Sequence, residues 1–138
     1  MVRAAKENCS LLIVDDQLGV RKLFFEALKD EFKEVFVAAN GIEAIEMVEK
    51  SYPDLVVMDM KMPRMNGLEV LKYLRSMGYS NPVIMMTAYG ELEIVSEASK
   101  MGVKRYITKP FDLQELRKLI KDTLRETNME KEGTMAHK

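Results

Sequence analysis

Short runs of apolar residues alternate with stretches of helical periodicity along the chain. Most of the apolar runs lack polar alternation, which is typical of strands covered by helices on both faces of a sheet. The runs are residues 11–14, 35–38, 55–58, 83–86 and 106–107. Because these runs alternate with helical segments, the pattern predicts β-α crossover units, a parallel sheet and an α/β fold.

Five segments show helical periodicity. In the first, Val20, Leu23, Phe24, Ala27 and Leu28 form one broad apolar stripe. The next three cover about residues 41–50, 67–77 and 91–101, and the last begins at Asp112, an N-cap with Glu115 three residues later. The segment at 91–101 has few apolar positions, which predicts a weakly packed and mobile helix.

Polar side chains stand where the apolar runs end. Asp15 and Asp16 follow the first run, Asp59 and Thr87 follow the third and fourth, and Lys109 follows the fifth. Right-handed crossovers make all five strands parallel, so their carboxyl ends share one edge of the sheet. Since open α/β sheets place their sites at this edge, we expect the five side chains to converge there.

Three converging carboxylates repel one another, and at an effective dielectric of about 20 each close pair costs several kcal/mol. Lys109 supplies one compensating charge. The remaining negative charge and the hard oxygen ligands suit Mg²⁺, with Mn²⁺ as an alternative, because Mg²⁺ takes one or two carboxylates, keeps waters and binds phosphate oxygens. We expect Asp16 and Asp59 as direct ligands and Asp15 as a ligand acting largely through water.

A carboxylate beside a divalent cation, a hydroxyl and an ammonium is suited to phosphoryl transfer. Asp59 would attack in line as the nucleophile, while Thr87 and Lys109 contact the phosphoryl oxygens. Taken singly, each of these residues has an ordinary interpretation as a helix cap, a loop residue, a strand residue or a surface lysine. A hydrolase is disfavoured because Lys61, not an acid, stands two residues after Asp59.

The composition narrows the class of protein. The chain has 138 residues, which predicts one domain over residues 1–127 and a flexible C-terminal tail over 128–138. With 21 Lys and Arg against 22 Asp and Glu, the net charge of −1 gives no basic field for nucleic acid. No apolar run approaches the roughly 20 residues of a membrane span, so we expect no membrane partner and a cytoplasmic location.

Three residue types carry less information. Cys9 is interpreted as a small apolar residue at a strand start, and His137 in the tail as chemically inert. The 12 methionines are interpreted mainly as adaptable core residues, with a partner-binding surface as the alternative.

The residues at the strand ends form a recognisable set. Four segments resemble the motifs of response-regulator receiver domains. They are residues 12–16, residues 56–63 with Asn66 and Gly67, residues 86–88 and residues 109–111. The resemblance covers about residues 11–125. It implies a flavodoxin-like (βα)5 fold, a doubly wound five-stranded parallel sheet with strand order 2-1-3-4-5. It also implies a cis bond between Lys109 and Pro110.

The resemblance assigns roles to named residues. It implies Mg²⁺-dependent phosphorylation of Asp59 and metal binding by Asp15, Asp16, Asp59 and the backbone carbonyl of Lys61. Thr87 and Lys109 would read the phosphoryl group, and Tyr106 stands where the family carries its switch aromatic.

A narrower similarity is to the single-domain phosphorelay regulators of endospore-forming bacteria. It is carried by residues 15–17 with Gly19 and Arg21, and by residues 39–41, 59–61, 86–92 and 109–112. It implies a protein that accepts a phosphoryl group from a sensor histidine kinase and passes it to a histidine of a downstream phosphotransferase, in control of sporulation initiation. We expect this protein to be a monomer. An aspartyl-phosphate phosphatase is a further candidate partner.

Two functions therefore stay open. In a relay, partner helices dock on residues that border the pocket: Gln17, Leu18, Gly19, Tyr89, Gly90 and Pro110. In a binding switch of the chemotaxis-regulator type, the phosphoryl group draws Thr87 inward, Tyr106 follows, and the face of the last two helices changes its affinity for a partner.

Overall fold

In a computed structural model that describes residues 7–88 and 91–136, five strands alternate with five helices. The strands are β1 (Glu7–Val14), β2 (Phe32–Ala38), β3 (Leu55–Asp59), β4 (Val83–Thr87) and β5 (Arg105–Thr108). The helices are α1 (Leu18–Leu28), α2 (Gly41–Ser51), α3 (Gly67–Ser76), α4 (Leu92–Lys100) and α5 (Leu113–Ala136). Each predicted strand and helix is present, with ends that differ by a few residues except at the end of α5.

The strands form one parallel sheet in the order β2-β1-β3-β4-β5, which confirms the expected flavodoxin-like topology. Val14 pairs with Ala38 on one side and Met58 on the other, and Asp59 pairs with Met86. The carboxyl ends of β1, β3 and β4 are therefore level. The strand order reverses between β1 and β3, and this reversal opens a crevice above their ends.

The core consists of two layers, one on each face of the sheet. Leu12 and Val56 face the layer formed with α2, α3 and α4, whereas Leu11 and Val57 face the layer formed with α1 and α5. Alternate residues of a strand point to opposite faces, so a strand covered on both sides is apolar throughout. Five methionines are buried in these layers, as the interpretation of methionine as core filler expects: Met58, Met60, Met62, Met85 and Met86.

Three helices begin with side-chain caps. The Oδ1 atom of Asp112 accepts a hydrogen bond from the Glu115 amide at 2.8 Å, as predicted for the start of α5. Asn40 caps α2 in the same way, and Asn66 forms a capping box with Glu69 at the start of α3. In α4, by contrast, Ala98 is the one described side chain that is fully buried. The weak packing predicted for this helix is confirmed, and its mobility stays a prediction.

The last helix is longer than predicted, since α5 continues past Thr127 to Ala136. Residues 128–136 contain Met, Glu, Lys and Ala and lack proline, so the backbone can stay helical without an apolar stripe. The flexibility of this segment stays a prediction, and His137 lies outside the described residues. Among the described helices, none combines the length and the apolarity of a membrane span.

A buried tyrosine joins the segments that precede β3 and β4, at the end of the sheet opposite the carboxyl ends of the strands. Tyr79 is 1% exposed, its hydroxyl donates to the Pro53 carbonyl at 2.6 Å, and its ring packs edge-on against Tyr52. The Pro53 carbonyl also accepts from the Asn81 side chain at 3.1 Å. Burial raises the pKa of Tyr79, since a phenolate in this apolar position would lose its hydration.

Tyr79→Phe tests this interaction. At neutral pH we expect the free energy of unfolding to fall by about 1 kcal/mol, because one buried hydrogen bond is lost. Above about pH 10 unfolded tyrosine ionises while folded Tyr79 stays protonated, so stability falls with rising pH in the native protein and this component is absent in the variant. The difference in the free energy of unfolding between the two proteins should therefore become smaller as the pH rises. Urea unfolding at pH 7, 10 and 11 measures this difference.

Tyr73→Phe makes the same chemical change at an exposed position on α3 and serves as the control. Parallel stability curves for native protein and Tyr79→Phe across this pH range would contradict the prediction.

Candidate functional site

Three carboxylates meet at the carboxyl edge of the sheet. Asp15 and Asp16 follow β1 and Asp59 ends β3, and one oxygen of each lies within 4.8 Å of the others. Asp15 and Asp59 are buried, whereas Asp16 is exposed. The strand pairing brings these residues together although more than forty positions of sequence separate Asp16 from Asp59.

A single ammonium group joins the two buried carboxylates. The Nζ atom of Lys109 lies 3.1 Å from Oδ2 of Asp59 and 3.3 Å from Oδ2 of Asp15. The backbone amide of Lys109 donates to the Thr87 carbonyl at 2.8 Å, which ties the end of β5 to the end of β4. The bond between Lys109 and Pro110 is cis, as the resemblance implied.

Backbone amides hold the remaining oxygen of each buried carboxylate. The Gln17 amide donates to Oδ1 of Asp15 at 2.9 Å, and the Lys61 amide donates to Oδ1 of Asp59 at 3.2 Å. Each carboxylate therefore has one oxygen on a backbone donor and the other on Lys109. This pattern fixes the orientation of both groups, and charge-assisted hydrogen bonds of this kind are stronger than neutral ones.

The charges in the site do not balance. Burial raises the pKa of Asp59, and Lys109 and the Lys61 amide oppose this shift without cancelling it. Burial lowers the pKa of Lys109, but Asp59 and Asp15 outweigh burial and hold it above its ordinary value, so the ammonium is charged at neutral pH. Three carboxylates facing one ammonium leave an excess of negative charge and hard oxygen donors, a donor set that fits a small divalent cation.

A glycine allows α3 to begin directly against the Asp59 loop. The Gly67 amide donates to the Met60 carbonyl at 3.0 Å. A Cβ atom at Gly67 would lie 2.6 Å from the Asp59 carbonyl oxygen and would overlap the Met60 side chain. The close approach of helix and loop therefore excludes a side chain at this position.

Thr87, Ala88 and Glu91 border the pocket at the carboxyl end of β4. Thr87 is buried at the end of β4, and the amide of Ala88 donates to Oε2 of Glu91 at 3.2 Å. Oε1 of Glu91 lies 3.2 Å from the Lys61 ammonium. Glu91 was not among the site residues predicted from the sequence. Its position three residues after Ala88 is a spacing at which a side chain commonly accepts from a backbone amide.

The residues proposed for partner docking lie beside this pocket. Leu18 is 55% exposed at the first turn of α1, next to Gln17 and Gly19, and Pro110 is exposed across a groove from them. The groove is lined mainly by apolar side chains: Val20, Leu23, Phe24 and Phe111. The stacked rings of Phe24 and Phe111, 6.0 Å apart, hold its two walls together. Tyr89 and Gly90 lie outside the described residues.

The Tyr106 hydroxyl contacts α4. It lies 3.1 Å from the Val95 carbonyl, 2.5 Å from the Ser99 hydroxyl and 3.2 Å from the Val103 carbonyl. The half-buried ring packs against the core layer of α2, α3 and α4. This contact pattern was not foreseen from sequence, because it depends on the position of α4.

Comparison with known proteins places this fold and site in one class. Residues 11–121 match the family model described as the response regulator receiver domain. The chain therefore belongs to the family of response-regulator receiver domains. Receiver domains accept a phosphoryl group on an aspartate within two-component systems, and they bind Mg²⁺ at an acidic pocket.

Individual relatives are similar over most of the chain. Sporulation initiation phosphotransferase F of Bacillus subtilis (strain 168) is 44% identical over 117 residues, which are 85% of this chain and 94% of that protein. Regulatory protein AtoC of Escherichia coli (strain K12) is 40% identical over 127 residues, which are 92% of this chain and 28% of AtoC. The structure of chemotaxis protein CheY4 of Vibrio cholerae is 30% identical with a TM-score of 0.78, covering 85% of this chain and 99% of that one.

Gly67→Ala tests the close approach at the Asp59 loop. The Met60 side chain could move away from the new Cβ atom, but the Asp59 carbonyl oxygen is backbone and yields less easily. We therefore expect a loss of roughly 1 to 3 kcal/mol in the free energy of unfolding. Gly19→Ala is the matched control, since Gly19 also lies in the first turn of a helix and nothing lies within 4 Å of its Cβ position. Gly19→Ala should stabilise the protein by about 0.5 to 1 kcal/mol.

Urea unfolding followed by circular dichroism measures both variants. Equal stability of the Gly67→Ala variant and the native protein would show that the loop yields to the added methyl group, contrary to the prediction.

Proposed function

We propose that this protein is a stand-alone phosphorelay regulator. Asp59 accepts a phosphoryl group from a phosphohistidine of a sensor histidine kinase and passes it to a histidine of a downstream phosphotransferase. The observation that supports this function best is the environment of Asp59, whose carboxylate is buried, held by Lys61 and Lys109, and placed at the open edge of the sheet. The similarity to sporulation initiation phosphotransferase F, which extends over 94% of that protein, supports a role in phosphoryl transfer.

The first transfer forms one bond and breaks one. A carboxylate oxygen of Asp59 attacks phosphorus, the new O–P bond forms as the N–P bond breaks, and the electron pair leaves with the imidazole of the kinase. The product is an acyl phosphate, which retains enough free energy for the phosphoryl group to be transferred from Asp59 to a second histidine. In the second transfer an imidazole nitrogen of the acceptor attacks phosphorus and the Asp59 carboxylate leaves.

The acidic side chains would hold the cation that this transfer requires. We assign Mg²⁺, or Mn²⁺ in its place, to Asp15, Asp16, Asp59 and the carbonyl of Lys61. When bound, the ion supplies positive charge that offsets the negative charge on the phosphoryl oxygens.

Two side chains would act directly on the phosphoryl group. The Lys109 ammonium, already 3.1 Å from Asp59, neutralises charge on a phosphoryl oxygen, and the Thr87 hydroxyl donates to another. Lys109 keeps its second partner, Asp15, during this exchange, so the ammonium does not have to be positioned anew. Asp59, Thr87 and Lys109 are thus the residues that we assign to catalysis.

Partner docking is assigned to the apolar groove beside the pocket. A helix that carries the reactive histidine would lie across the first turn of α1 and the Pro110 loop, with exposed Leu18 as an apolar contact. The same surface would serve the kinase, the acceptor and an aspartyl-phosphate phosphatase, since all three must reach Asp59. We propose a monomer in the cytoplasm that acts in the control of sporulation initiation, as the printed name of the Bacillus relative suggests.

A second candidate function is a binding switch without onward transfer. The contacts of the Tyr106 hydroxyl with Val95 and Ser99 favour it, because a movement of Tyr106 would break hydrogen bonds to α4. The similarity to chemotaxis protein CheY4 supports the same alternative. Here the phosphoryl group would stay on Asp59 while the surface of α4 and β5 changes.

Transfer of radiolabelled phosphate distinguishes these functions. We expect the native protein to take label from a phosphorylated histidine kinase on Asp59 in the presence of Mg²⁺, and to pass it to a purified histidine phosphotransferase domain. Asp59→Asn should take up no label, since an amide is a poor nucleophile, and chelation of Mg²⁺ should have the same effect. Label that stays on Asp59 with every acceptor tried would favour the binding switch.

Asp30→Asn is the control, because it makes the same chemical change at an exposed residue that precedes β2 at the far edge of the sheet. Full labelling of the Asp59→Asn variant would rule out both candidate functions.

A further inference from the structure

The carboxylate of Glu91 bridges the two loops that border Asp59. Its Oε2 atom accepts from the amide of Ala88, in the loop after β4, and its Oε1 atom lies 3.2 Å from the ammonium of Lys61, in the loop after β3. The Glu91 side chain is 10% exposed although that of Lys61 is 72% exposed. A nearly buried anion therefore lies between two donors at the rim of the pocket.

In this position the start of α4 lacks a side-chain cap from Glu91, and one carboxylate oxygen of Glu91 lacks a hydrogen bond. Glu91 directly precedes α4, yet its side chain makes no capping hydrogen bond to that helix. Its Oε1 atom is buried and, close as it is to Lys61, lacks hydrogen-bond geometry. Buried anionic oxygens without full hydrogen bonding are unfavourable, which lowers the free-energy cost of moving Glu91 out of this position.

The two groups that Glu91 contacts belong to residues that adjoin the phosphorylation site. Lys61 donates its amide to Asp59, and Ala88 directly follows Thr87, the hydroxyl assigned to the phosphoryl group. A phosphoryl group on Asp59 would bring anionic oxygens to this rim, where the like charge of the Glu91 carboxylate repels them. A phosphoryl oxygen that accepted from the Ala88 amide would take the donor that Oε2 of Glu91 now holds.

We propose that Glu91 is an internal competitor of the phosphoryl group, and that its displacement releases the start of α4. The inference rests on the proposed function, since it requires Asp59 to carry the phosphoryl group. Phosphorylation draws the Ala88 amide and the Lys61 ammonium away from Glu91. Because α4 has one fully buried side chain among those described, the loss of this anchor loosens the helix and alters its outer face.

Binding of beryllofluoride, an analogue of the phosphoryl group, tests the competition. In Glu91→Gln the amide oxygen can still accept from Ala88, but the negative charge is gone. We expect this variant, at saturating Mg²⁺, to bind beryllofluoride about tenfold more tightly than the native protein, because the like charge is removed and the remaining neutral hydrogen bond to Ala88 competes less strongly than a charge-assisted one.

Glu93→Gln is the matched control. Glu93 lies two residues later in the first turn of α4, is exposed, and loses the same charge in the variant. Its affinity for beryllofluoride should equal that of the native protein, which separates a specific effect of Glu91 from a general change in net charge.

Hydrogen exchange measures the opening of α4, which a change in net charge alone does not alter. Without ligand, the backbone amides of α4 should exchange faster in Glu91→Gln than in the native protein, and beryllofluoride should produce a similar increase in the native protein. Equal or weaker binding by Glu91→Gln, or unchanged exchange in α4, would overturn the competition. Absence of any binding by the native protein would instead refute the proposed function, and the present inference with it.

Discussion

The site depends on the ammonium of Lys109 and the two buried carboxylates that share it. Asp15 and Asp59 lie at the ends of neighbouring strands, where their charges would repel each other strongly without a cation between them. Lys109 reaches both from the end of β5, and backbone amides hold the other two carboxylate oxygens. The group that neutralises the resting site is thus already in contact with the proposed nucleophile.

The rest of the fold serves to place these few atoms. The level ends of β1, β3 and β4 align the carboxylates, and the hydrogen bond from Lys109 to Thr87 fixes the end of β5. Gly67 lets α3 begin against the Asp59 loop, so the loop has little freedom to move the carboxylate away. The two buried core layers make these positions rigid, while α4, which borders the pocket, is held by fewer apolar contacts.

Much of this arrangement follows from local sequence patterns. Apolar runs and helical periodicity located every element, and polar residues at strand ends indicated the convergence of Asp15, Asp59 and Lys109. The strand order came from family resemblance and not from the pattern. The bridge from Lys61 to Glu91 and the contacts of the Tyr106 hydroxyl were missed, because they join segments whose relative position is set by tertiary packing. The length of α5 was underestimated, because residues 128–136 lack the apolar stripe on which the prediction of a helix was based.

The most direct measurement of the central claim is a crystal structure of the protein with Mg²⁺ and beryllofluoride. We expect beryllium bonded to a carboxylate oxygen of Asp59, the ion held by the acidic cluster, and the Lys109 ammonium in contact with both fluorine and Asp15. Beryllofluoride on another carboxylate, or a Lys109 side chain turned into solvent with Asp59 occupied, would contradict the proposed roles of Asp59 and Lys109.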